Sequence, residues 1–86
     1  MKLYVIYAEW CVDYEGGSEL VGAYKTLEEA RNVLKKRVDG DERILADEYG
    51  YKIYDDSPNI FDAGREGEYT VNHTMVKIEP VELEEE

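Results

Sequence analysis

The chain has 86 residues and carries 21 Asp and Glu against 10 Lys and Arg, a formal net charge of −11. This length supports one domain that buries about two-thirds of its unfolded surface, and it holds no apolar run near the ~20 residues a membrane span requires. The acid excess argues against ordinary binding to a phosphate backbone, which needs clustered Lys and Arg. A content of 43% hydrophobic and 12% aromatic residues, with eight tyrosines, argues against a disordered acidic segment.

In chain order, Leu3 to Val12 is rich in β-branched and aromatic residues and reads as the first strand. Tyr4, Ile6, Ala8, Trp10 and Val12 share one face, and Leu3, Val5, Tyr7, Glu9 and Cys11 the other, so both faces are expected to be at least partly covered. Asp13 to Ser18, with Gly16 and Gly17 able to take positive φ, predicts a hairpin connection into a second strand from about Glu19 to Lys25.

Thr26 and Glu29 form a capping box. Leu27, Ala30, Val33, Leu34 and Val38 then make one apolar stripe, predicting an amphipathic helix over 27–38. Glu28 and Glu29 in its first turn and Lys35, Lys36 and Arg37 in its last complement the helix dipole, and Gly40 is the expected left-handed terminator. Asp41 to Tyr49 suits a short second helix or turn lying over the core and stopped by Gly50.

Tyr51 to Asp55 alternates as a strand, and Asp56-Ser57-Pro58-Asn59 is turn chemistry. Ile60 to Gly67 reads as a loop or hairpin tip, and Glu68 to Ile78 as a last strand with a bulge or face change near Met75. The expected fold class is α+β: a four-stranded, mainly antiparallel sheet packed against one amphipathic helix in the order ββαββ. A single domain over 1–80 is followed by an acidic tail over 81–86.

Catalytic and metal chemistry find little support. Cys11 and His73 are the one thiol and one imidazole, with no Gly-x-Ser-x-Gly elbow and no second histidine, so no enzyme is expected. Asp39-Gly40-Asp41-Glu42 resembles a fragment of a calcium loop, but Arg43, Ile44 and Leu45 stand where ligands would follow, and no metal or cofactor is expected. Gly16-Gly17 lies between strands rather than at a helix N-terminus, so no phosphate cradle is formed. A lone cysteine and the lack of a basic-then-apolar leader suit a reducing cytoplasm.

Acids interleaved with aromatics are the remaining feature. Spaced carboxylates serve solubility, and they also imitate phosphates for a partner lined with Lys and Arg. Tyrosine supplies rigid contact area beside them. The candidate contacts are Asp39, Asp41, Glu42, Asp47, Glu48, Asp55, Asp56 and Asp62, with Tyr49, Tyr51 and Tyr54. The basic helix end around Arg31, Lys35, Lys36 and Arg37 leaves the charge asymmetric, which leaves self-association open.

Gly22-Ala23-Tyr24-Lys25-Thr26-Leu27-Glu28-Glu29-Ala30, preceded by Lys2-Leu3-Tyr4-Val5-Ile6-Tyr7, resembles small α+β proteins of phages and mobile elements, in which a strand ending Tyr-x-Thr/Ser enters a helix beginning Glu-Glu-Ala. Such acidic proteins include anti-CRISPR and other anti-defence inhibitors, some of them nucleic-acid mimics. The resemblance lies in the first half of the chain and implies no site residue. The leading expectation is a non-catalytic inhibitor of a basic, nucleic-acid-handling protein, without direct nucleic-acid or membrane binding. The alternative is a small-molecule or nucleotide-binding protein with a tyrosine-lined pocket and Arg65 facing the anion.

Overall fold

A computed structural model describes residues 1–12, 15–66 and 71–84. The order is β1 (Lys2–Val12), β2 (Glu15–Tyr24), α1 (Leu27–Arg37), a π-helical turn (Val38–Glu42), α2 (Arg43–Tyr49), β3 (Lys52–Ser57), β4 (Ile60–Glu66) and β5 (Val71–Glu82). The fold is α+β, but the sheet has five strands rather than the four expected, in the order β2-β1-β5-β4-β3 and antiparallel at every pairing. The additional strand is β4, over the segment read as a loop or hairpin tip. Its Phe61 and Ala63 point into the core opposite Val76 and Thr74, and that burial outweighs the weak strand preference of Ala63 and Gly64. Asp13, Tyr14, Gly67 and the expected strand start at Glu68 to Thr70 lie outside the described residues, as do Glu85 and Glu86.

The helical layer packs on one sheet face. Ile6 and Ala8 of β1, Val76 of β5 and Phe61 and Ala63 of β4 meet Ala30, Leu34, Val38 and Ala46, and Phe61, Ile6 and Val76 are the largest fully buried side chains. Thr26 caps α1 as expected, its Oγ1 accepting from the Glu29 amide at 3.1 Å. The predicted stop at Gly40 is not observed. The backbone stays helical through one wider turn, and the stop comes at Gly50, which takes φ 68° and ends α2. Contacts made by that wider turn, described below, override the weak helix preference of glycine.

Two further expectations change. Gly16 and Gly17 belong to β2, opposite Cys11 and Trp10, rather than to the connection. A Cβ on Gly17 would stand 2.7 Å from the Trp10 indole, so glycine here admits a cross-strand aromatic ring. Met75 lies in unbroken register with Glu9 and Asp62, so there is no bulge at that residue. Bulges occur instead where Val21 and Tyr54 are the extra residues of the two edge strands, and they interrupt edges otherwise open to pairing. Val81 and Glu82 pair with Leu3 and Lys2, and the Met1 amino group donates to the Leu83 carbonyl at 3.0 Å, so the first residues of the acidic tail extend the sheet. Among the described residues no helix is long and apolar enough to cross a membrane.

Two glycines test this packing with opposite signs. A Cβ on Gly64 would lie 2.6 Å from the Asn72 carbonyl oxygen, whereas one on Gly40 meets nothing within 4 Å. Urea unfolding should show Gly64→Ala destabilised by about 1–3 kcal/mol and Gly40→Ala stabilised by about 0.5–1 kcal/mol.

Candidate functional site

The acids proposed from sequence divide between the two faces of the sheet. On the helical side, most are already paired. Arg43 donates to both carboxylate oxygens of Asp56, at 2.9 and 3.1 Å, and to Asp39 at 3.4 Å. The Asp56 hydrogen bond is the main reason the Arg43 guanidinium is held above its ordinary value, and the same contact holds Asp56 below the usual carboxylate range. Asp41 lies 3.8 Å from Arg37.

Glu42 is not a surface contact. It is 4% exposed, accepts from the buried Thr74 hydroxyl and from Arg37 Nε at 3.2 Å, and Arg37 reaches on to Glu19 of β2 at 3.0 Å. Burial alone would lower the Arg37 value, but the hydrogen bonds it donates to Glu42 and Glu19, with their charges, outweigh it and raise it. The π-helical turn makes this possible, because its extra residue rotates Glu42 inward toward β5. Tyr51 is half-buried against the core, with its ring 5.8 Å from that of Tyr49. Asp47, Glu48 and Tyr49 remain exposed on α2.

The opposite sheet face carries no described helix. Strand alternation puts Leu3, Val5, Tyr7, Glu9 and Cys11 there; Val5 is buried, Leu3, Tyr7 and Cys11 are half-buried and Glu9 is exposed, so this face of β1 is partly covered, as expected, although no described helix packs on it. One row across it runs Glu9, Met75, Asp62, Asp55, on β1, β5, β4 and β3. Asp62 and Asp55 are directly opposed like charges on neighbouring strands, and none of the three carboxylates has an ion-pair or hydrogen-bond partner among the described residues. Tyr54, displaced by its bulge, lies over Gly64 with its ring edge 3.2 Å from where a Cβ would stand, and it is half exposed. Glu9 was missed as a candidate. Its place on the odd face of the first strand carried the signal, but only the β1–β5 register links that face to Asp62.

Cys11 and His73 are directly opposite each other on this same face, both half-buried, with Gly16, Gly64 and Lys52 completing their row. No carboxylate in that row orients the imidazole, as a nucleophile–base pair requires. No group of three or more His, Cys, Asp or Glu suited to a metal ion occurs among the described residues. Arg65 borders a shallow depression with Tyr54 and Lys52 rather than a tyrosine-lined cavity. Compared with known protein families, curated proteins and solved structures, the chain matches none.

The Arg43–Asp56 pair gives a pH test. Because the folded pKa of Asp56 is depressed below its ordinary value near 3.8, the pair contributes stability above that value. As pH falls below it, the unfolded state takes up a proton before the folded state does, and the contribution disappears once pH has passed through the folded pKa. Asp56→Asn should therefore lower stability at neutral pH and flatten the loss below pH 3.8, measured by urea unfolding across the acid limb.

Proposed function

We propose that the chain is a non-catalytic binding protein whose open sheet face engages a basic, nucleic-acid-handling protein. The observation that carries this reading is the unpaired row Glu9, Asp62 and Asp55 beside Tyr7, Tyr54 and Met75, on a face with no described helix over it. Directly opposed carboxylates cost a folded sheet stability, and a partner's Lys or Arg set between them removes that cost. Neighbouring strands lie ~4.8 Å apart, so the row spaces its acids at roughly 5 and 10 Å, within reach of a groove built to hold a phosphate backbone. Tyrosine and methionine add contact area at low ordering cost, which an acidic surface built only for solubility does not need.

The paired acids Asp39, Asp41 and Asp56 and the buried Glu42 are poorer contacts, because engaging them means breaking existing bonds. Asp47, Glu48 and Tyr49 form a second exposed acidic patch on α2 and extend the reading to a partner that wraps the β3 edge. In the phage or mobile-element setting that the first half of the chain resembles, the partner is a defence effector such as a CRISPR nuclease. Inhibition then follows from occupying its nucleic-acid groove.

The test compares two triple variants as immobilised bait in host lysate at low and high salt. Glu9→Gln/Asp55→Asn/Asp62→Asn should lose a basic protein that the unaltered chain captures at low salt and that added nucleic acid displaces. Asp39→Asn/Asp47→Asn/Glu48→Gln should retain most of it. Capture that survives the first set, or that ignores salt and nucleic acid, would overturn the assignment. Asp62→Asn alone should also raise folding stability by about 0.5 kcal/mol by relieving the repulsion from Asp55, a gain read from the urea midpoint.

A further inference from the structure

On the helical side, away from the acidic row, the surface reverses sign locally. A cleft of about 340 Å³ opens between α1 and the β3–β4 turn, with Arg31, Lys35 and Arg43 on its walls against Asp39 and Asp56. Its floor is apolar, made by the nearly buried Leu34, Val38 and Phe61. The three cations are not equivalent. Arg43 is already neutralised by Asp56 and Asp39 and lies over the Phe61 ring, 5.3 Å from its centroid. Arg31 uses only its Nε, which donates to Asn59 Oδ1 at 2.7 Å, so the turn fixes the guanidinium while both of its Nη groups stay unengaged among the described residues. Lys35 has no partner among the described residues.

Arg31 and Lys35 are four residues apart on α1, hence side by side on one face, where like charges repel. In a chain with twice as many acids as bases, neither cation forms an ion pair with a described carboxylate, although Asp39 and Asp56, both held by Arg43, line the same cleft. A fixed guanidinium fork and a mobile ammonium at the mouth of an apolar-floored cleft match an oxyanion carried on an apolar body: the fork takes two oxygens, the ammonium acts as a point charge, and the body lies on Leu34 and Val38. We infer that this cleft is a binding site for a small organic anion, a phosphate or carboxylate on a ring or short hydrocarbon. The inference is independent of the acidic face, since it uses other residues on the other side of the sheet.

The experiment follows amide resonances of the ¹⁵N-labelled full chain during titration with phenyl phosphate, inorganic phosphate and phenol at low salt. Phenyl phosphate should shift the Arg31–Lys35 and Ser57 amides saturably, and inorganic phosphate should bind at least about tenfold more weakly because it leaves the apolar floor uncovered. Arg31→Gln/Lys35→Gln should weaken phenyl phosphate at least about tenfold. Glu79→Gln, on the opposite face beside Val5, should leave it unchanged. Equal binding of phenol would make the cleft a merely apolar groove, and equal binding of inorganic phosphate a merely charged surface. Either result, shifts mapping elsewhere, or binding that survives the double substitution overturns the proposal. Sodium benzoate in place of phenyl phosphate separates the two anion chemistries: comparable affinity assigns the site to oxyanions in general, and binding of phenyl phosphate alone assigns it to phosphate esters.

Discussion

A single helical layer has to cover a five-stranded sheet, and it is too small to do so. Helix α1 has 11 residues and rises about 17 Å at 1.5 Å per residue, whereas β5 has 12 residues and spans roughly 40 Å at ~3.3 Å per residue. The molecule is correspondingly elongated, with extents of 50 × 23 × 16 Å. The buried apolar cluster is confined to the stretch beneath α1 and α2, one sheet face meets no described helix, and the β1–β2 end runs past the helical layer. The proposal for the acidic face follows from this shortage of cover, because a sheet face without a helical layer must be made compatible with water, and its polar residues are then available to a partner.

The helical layer is located by a polar chain rather than by apolar packing alone. Thr74 of β5 donates to Glu42 of the π-helical turn, Glu42 accepts from Arg37 of α1, and Arg37 reaches Glu19 on β2. These contacts link the helical layer to β5 and β2 beside the helix–sheet packing of Ala30, Leu34 and Val38. A buried ion pair is poor evidence of net stability, since desolvation offsets most of its attraction. Its geometric effect is clearer: an apolar stripe tolerates sliding along a sheet, whereas a carboxylate shared by Thr74 and Arg37 tolerates almost none. The extra residue of the π-helical turn is what places Glu42 there.

Local signals were legible in the sequence where one residue's chemistry decides the outcome. The Thr26 cap, the α1 stripe, the Gly50 stop and the first strand are of this kind, and the structure contains each of them. Signals that depend on a distant partner were not legible. Ile60 to Glu66 carries a glycine and three charges, and it becomes a strand because Phe61 and Ala63 find Val76 and Thr74 across the ladder. Gly40 resembles a helix terminator until Glu42 finds Thr74. The candidate acids were read as one group because they are close in sequence. The bulge at Tyr54 and the change of face between Asp55 and Asp56 send them to opposite sides of the sheet.

The Trp10 ring over Gly17 gives the molecule a built-in spectroscopic reporter. It is the chain's one tryptophan, 39% exposed, and it stands on the β1–β2 ribbon outside the buried cluster beneath α1 and α2. Intrinsic fluorescence therefore reads the uncovered end of the ribbon, whereas far-ultraviolet dichroism near 222 nm weights the helices over the core. When the two signals change together, the ribbon and the helical layer are one cooperative unit. When fluorescence changes first, the ribbon end is opening while the core stays closed.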